Sequence, residues 1–184
     1  GTLADTMPLH WQAWDTVARR HHITLSEERL YSMGGIPSRD ILKILGKEQN
    51  LSALDVESVA KEKEDEYVAK MGNATLIEPI ASIAREHVGK LPMAIATGGR
   101  RDIMEKILPQ LGIAHWFNAI VTSQDVQRQK PAPDIFLKAA KRLGVEPRFC
   151  IGYEDTDIGL QGIRDAGMKA IDVRPLLGKN FNTK

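Results

Sequence analysis

The sequence predicts an α/β fold, a doubly wound parallel sheet carrying a small all-helical insertion, and three observations lead there. The 184 residues exceed one minimal domain and fall short of two large ones. Residues 7–72 repeat their apolar side chains at helical spacing, and after Asn73 short apolar segments alternate with helices. The insertion is therefore residues 7–72 and the sheet domain residues 73–184. In order along the insertion, Trp11, Trp14, Val17 and Ala18 mark one helix, and Ile41, Leu42, Ile44 and Leu45 another. Ser52 is expected to cap a long polar helix running through Glu57, Lys61, Glu64 and Val68, its Lys61 to Glu66 charge run mostly a solvated face. In the sheet domain, strands are expected at Pro92 to Ala96, Asn118 to Thr122, Phe149 to Tyr153 and Lys169 to Val173. Helices at Arg101 to Leu111, Asp134 to Leu143 and Ile158 to Ala166 fit between them, ended by Gly112, Gly144 and Gly167.

Composition removes several function classes. Lys plus Arg number 25 against 24 Asp plus Glu, so no broad polyanion-binding face is expected and nucleic acid is not a partner. No apolar run approaches the ~18 residues of a membrane span, and no secretory signal is read at the start, so a cytoplasmic protein without a membrane partner is expected. The single cysteine, Cys150, cannot pair internally and reads as a structural thiol. The five histidines lack zinc-site spacing, so a bound metal would be held by oxygen.

In a doubly wound sheet the ligand sits beyond the carboxyl ends of the strands. Thr97, Gly98 and Gly99 follow the first expected strand, where a hydroxyl and free N–H groups at a helix start can bind phosphate; a plain turn would look the same. Lys130 stands before Pro131-Ala132-Pro133, a stiff segment that fixes a cation at the ligand edge. Glu154, Asp155 and Asp157 follow the third strand. Clustered carboxylates repel one another unless a hard cation or donors intervene, so Glu154 and Asp155 are metal candidates, with Mg²⁺ the fitting ion, and Asp157 belongs to the helix start.

Thr, then Lys-Pro, then Glu-Asp at successive strand ends resembles the haloacid dehalogenase-like (HAD) hydrolase superfamily. Gly1-Thr2-Leu3-Ala4-Asp5-Thr6 is similar to the tail of its opening motif, Asp-x-Asp-Gly-Thr-x-x-Asp-Thr, so residues 1–6 read as the end of the first core motif. The resemblance runs over the whole chain and is strongest to the branch holding fructose-1-phosphatases and β-phosphoglucomutase. It implies a Rossmannoid core with a helical cap, and two aspartates with their strand directly ahead of Gly1, the first a nucleophile and the second a general acid/base. The sequence given is accordingly expected to be truncated before its first strand and inactive by itself.

The resemblance further implies a Mg²⁺-dependent phosphatase acting on a small phosphorylated sugar through an aspartyl phosphate. Thr97 and Lys130 would hold the phosphoryl group with the backbone N–H groups of Gly1 and Gly98, and Glu154 and Asp155 would hold the metal. His10, Ser38, Arg39 and Lys63 would meet the substrate from the cap. Ser38 stands where mutases of the branch carry an arginine, which weighs against the alternative of a β-phosphoglucomutase-like mutase. A non-catalytic phospho-ligand-binding relic is the other alternative, and a monomer is expected.

Overall fold

The structure is a computed structural model that describes residues 1–177. It divides into two compact units, Thr6–Ala74, and Gly1–Asp5 together with the chain from Thr75 onward.

The helical unit contains α1 (Met7–Arg20), α2 (Glu27–Ser32), α3 (Ser38–Glu48) and α4 (Val56–Lys70). Pro8 in the first turn of α1 costs no hydrogen bond, and Leu9, Ala13, Trp14, Val17 and Ala18 form the buried stripe that meets α4. Leu30, Ile41, Leu42 and Leu45 close the same core. Burying each such aliphatic side chain contributes roughly 1.5–3 kcal/mol. One expectation is corrected here. The cap of α4 is Asp55, whose carboxylate accepts from the Ser58 N–H at 3.1 Å, while Ser52 belongs to the preceding turn. Within the charge run on α4, Lys63 joins Val59, Ala60 and Tyr67 in the buried stripe.

In the second unit β1 (Ala4–Asp5) pairs antiparallel with β2 (Thr75–Leu76), Asp5 opposite Thr75, so the chain leaves and re-enters at adjacent positions. Next comes α5 (Glu78–His87), a helix not foreseen, opened by Pro79 and burying Ile80 and Ala81. The four expected strands are present and shorter: β3 (Ala94–Ala96), β4 (Ala119–Val121), β5 (Ile151–Glu154) and β6 (Lys169–Asp172). A 3₁₀ turn at Pro147–Phe149 moves the start of β5 two residues on, with half-buried Cys150 just before it. The helices α6 (Arg101–Gln110), α7 (Asp134–Leu143) and α8 (Asp157–Asp165) lie between the strands. Gly144 ends α7 at φ 69°, a left-handed conformation that a Cβ would strain.

β3 and β4 are parallel with Ile95 opposite Ile120, and β5 and β6 are parallel with Tyr153 opposite Ile171. The two pairs are not hydrogen-bonded to each other among the described residues. One helical layer covers both: α7 packs on β3 and β4, α8 on β5 and β6, and the helices touch. Gly152 sets the depth of that packing, since a Cβ there would lie 2.7 Å from Ile163 Cδ1. Ile151 and Tyr153 alternate with Gly152 and point away from α8, and they are 53% and 37% exposed, so the apolar strand is not a fully buried one.

Candidate active site

Three strand-end loops of the second unit are tied together by side chains. Thr97 follows β3; its N–H continues the ladder to the Val121 carbonyl at 2.9 Å, and its Oγ1 accepts from the Gly99 N–H at 3.1 Å. The Gly99 carbonyl accepts from the Ser123 N–H and hydroxyl, both at 3.2 Å, which joins this loop to the one after β4. Along that second loop Gln129 Nε2 donates to the Ser123 carbonyl at 2.9 Å, and Arg128 grips the Asp134 carboxylate at the start of α7 with two bonds of 3.0 and 2.8 Å. Lys130 is thereby held on a braced segment.

The Lys130 ammonium meets Glu154 Oε2 at 2.7 Å, with side-chain exposures of 8% and 6%. It also lies 5.1 Å from the Phe136 ring centroid. Glu154 Oε1 accepts three further bonds, from the Asp155 and Thr156 N–H groups at 3.1 and 3.0 Å and from the Thr156 hydroxyl at 2.8 Å. Two glycines permit this. A Cβ on Gly159 would strike the Glu154 carboxylate, and one on Gly162 would lie 2.9 Å from Phe136 Cε2 and 3.0 Å from the Pro131 carbonyl oxygen. Asp155 is the adjacent acid. Its carboxylate accepts from the Thr2 hydroxyl at 2.5 Å and lies in the favourable field of the Lys130 charge, while burial opposes its ionisation.

The helical unit holds a second cluster. Lys63, 2% exposed, sits 2.9 Å from His10 Nδ1 and 5.3 Å from the centroid of Tyr67, on which the His10 ring stacks at 3.9 Å. Glu64 Oε1 accepts from the Ser38 hydroxyl at 2.6 Å and lies 3.4 Å from the Lys63 ammonium. Burial and then the Lys63 charge hold the His10 imidazole well below its ordinary pKa. Burial also lowers that of Lys63, with Glu64 opposing it. Burial, then the Glu64 charge, pushes the Tyr67 phenol up to about 12.

The sequence profile of the haloacid dehalogenase-like hydrolases matches residues 1–173. The chain belongs to this family. Among relatives of this HAD hydrolase, fructose-1-phosphate phosphatase YqaB of Escherichia coli is 36% identical over 176 residues, 96% of this chain and 93% of that protein. Bacillus subtilis β-phosphoglucomutase is 29% identical over 98% of this chain and 84% of its own length. The solved β-phosphoglucomutase of Clostridium difficile superposes with a TM-score of 0.82 at 26% identity, covering 94% of this chain and 80% of that one.

Within this HAD hydrolase the residues singled out by sequence fall into three groups. Thr97, Gly98, Lys130, Glu154 and Asp155 stand at strand ends of the second unit, with Gly1 beside Asp155. His10, Ser38 and Lys63 converge on the Glu64 cluster. Arg39 does not join them; it pairs with Glu57 at 2.7 Å on an open surface, both side chains over 60% exposed. Glu154, expected as a metal ligand, has both oxygens engaged by Lys130 and its own turn. Among the described residues no three His, Cys, Asp or Glu side chains are grouped to hold a metal. Asp155 is a carboxylate of the right chemistry for Mg²⁺, one oxygen donor toward a hard-cation shell. Sequence reasoning passed over Thr156, Gly162, Glu64 and Tyr67. The two glycine contacts leave no local pattern, but Thr156 was readable as the cap of α8, where it accepts from the Gly159 N–H.

Proposed function

We propose that the protein is a phosphoric monoester hydrolase that removes phosphate from a small phosphorylated sugar, fructose 1-phosphate foremost, through a phosphoaspartate on the residue that the family places ahead of Gly1. The buried Lys130–Glu154 pair beside Asp155 carries this reading. A lysine serving only solubility would not be dehydrated at a strand end on a doubly braced loop. In this reading the Lys130 ammonium and the N–H groups of Gly1 and Gly98 offset the charge on the phosphoryl oxygens. Thr97 Oγ1 accepts from Gly99 and donates its own proton to the same group. Asp155 would hold Mg²⁺, which supplies charge neutralisation when bound. Glu154 positions Lys130 and does not ligate the metal. From the cap, neutral His10 and the Lys63 and Ser38 side chains meet the sugar, and Arg39 takes no part.

The fructose-1-phosphatase reading rests on the Escherichia coli relative and on Ser38, which donates to a carboxylate where a mutase needs a cation for a distal phosphate. The test compares the 184-residue chain with a chain extended ahead of Gly1 by the family's apolar strand and Asp-x-Asp. Phosphate release from fructose 1-phosphate and conversion of β-glucose 1-phosphate, primed with glucose 1,6-bisphosphate, are followed together by NMR. The expected result is phosphate release by the extended chain alone, dependent on Mg²⁺. Isomerisation outrunning release would replace the phosphatase reading with the mutase one, and equal turnover by both chains would remove the assigned nucleophile.

A further inference from the structure

The Glu64 carboxylate is unexplained by the reading above, and its surroundings give it a task. It lies between two groups assigned to the substrate, 2.6 Å from the Ser38 hydroxyl and 3.4 Å from the Lys63 ammonium, with 16% of its side chain exposed. Lys63 is enclosed by the Trp14 and Tyr67 rings, centroids 5.6 and 5.3 Å away, and by His10. Its charge is thus balanced from inside the cap, by the residue next to it in sequence. A phosphate drawn to Lys63 would bring about two negative charges against the Glu64 carboxylate in a site with little water to screen them. It would also have to take the hydroxyl of Ser38 from a carboxylate that already accepts it. A neutral sugar hydroxyl meets neither obstacle, since it can donate to Glu64 or accept from Lys63.

We infer that Glu64 is the specificity-determining residue by which the cap selects against a second phosphate, so that the substrates are sugar monophosphates and not sugar bisphosphates. This rests on the proposed function, since it takes Lys63 and Ser38 to face the sugar. Calorimetric titration with fructose 1-phosphate and with fructose 1,6-bisphosphate, with Mg²⁺ removed by a chelator, measures binding without consumption. The wild-type chain is expected to bind the bisphosphate no tighter than the monophosphate. In Glu64→Gln, which keeps an acceptor for Ser38 and loses the charge, the ratio of affinities should move about tenfold or more toward the bisphosphate. Glu64→Ala should move it the same way and supplies a second neutral side chain should the Gln variant not fold. Glu64→Asp, which retains the charge, should keep the wild-type ratio. An unmoved ratio in the neutral variants, or an equal shift in Glu64→Asp, overturns the inference. Binding of neither sugar also overturns it, and phosphate release by the extended chain would then leave the functional reading standing.

Discussion

Removing either member of the Lys130–Glu154 pair should destabilise the sheet unit, and the two removals should differ. Breaking a buried ion pair by deleting one partner costs about 3–5 kcal/mol, because the other charge stays dehydrated without compensation. Both side chains are under a tenth exposed, which puts the pair in that regime and outside that of solvated surface pairs, worth about 0–1 kcal/mol. Lys130→Ala leaves Glu154 with three donors, the Asp155 and Thr156 N–H groups and the Thr156 hydroxyl. Its cost belongs near the lower figure, about 3 kcal/mol. Glu154→Ala strips four donors of their acceptor and leaves the ammonium with the Phe136 ring and the field of Asp155, so its cost belongs near about 5 kcal/mol. Native-state hydrogen exchange at the amides of β5 and β6 reads this as about two decades of faster exchange in the first variant and more than three in the second. Replacing both partners, Lys130→Met with Glu154→Gln, should recover much of either loss. Equal costs, a larger cost for Lys130→Ala, or costs below about 1 kcal/mol would refute the assignment of Glu154 as the four-donor anchor.

Three further outcomes are expected. Gly162→Ala should lower stability by about 1–3 kcal/mol, seen as a fall in melting temperature, because the new methyl meets Phe136 and the Pro131 carbonyl at 2.9 and 3.0 Å; an unchanged melting temperature would mean that the Lys130 loop is not seated on α8. His10 should stay neutral by NMR to well below pH 6.5, and Lys63→Met should raise its pKa. Since the unfolded chain binds the extra proton first, the His10 contribution to stability is complete above about pH 6.5 and is lost as pH falls from there toward the folded pKa, and titration near 6.5 in the wild type would contradict the cluster geometry. Asp155→Asn in the extended chain should weaken Mg²⁺ binding by calorimetry and remove most phosphate release, whereas unchanged affinity and rate would make Asp155 a turn residue only.

The sheet unit was legible because its information is local. β3 and β5 run directly into residues proposed for the site, so finding Ala94–Ala96 and Ile151–Glu154 locates Thr97, Glu154 and Asp155 with no knowledge of packing. Gly144 announces the end of α7 by its own conformational freedom. What stayed hidden depends on partners distant in sequence. Nothing in Lys61-Glu62-Lys63-Glu64-Asp65-Glu66 marks Lys63 as the member turned inward; that follows from where Trp14 and His10 of α1 meet α4. The link from Glu64 to Ser38 spans 26 positions. The apolar segment Phe149 to Tyr153 marks a strand but not its start, since the 3₁₀ turn at Pro147–Phe149 moves β5 to Ile151–Glu154.

Two buried lysines, each beside a carboxylate, invite the same role, and the donors around the carboxylates separate them. Glu154 accepts four hydrogen bonds, three of them from its own turn, so three donors stay with it when Lys130 turns away. The ammonium can then turn toward an arriving dianion while its own turn still holds Glu154. Glu64 has the Ser38 hydroxyl and the Lys63 ammonium, the latter at a looser 3.4 Å. If Lys63 turned to a phosphate, Glu64 would keep most of its charge uncompensated within a few ångströms of the new anion. The first arrangement suits a cation that must serve a phosphoryl group, and the second suits one that meets a neutral sugar. The cations of the two units are thus distinguished by how well their counter-ions stand alone, a property set by Thr156 and the turn after β5 in one case and by Ser38 in the other.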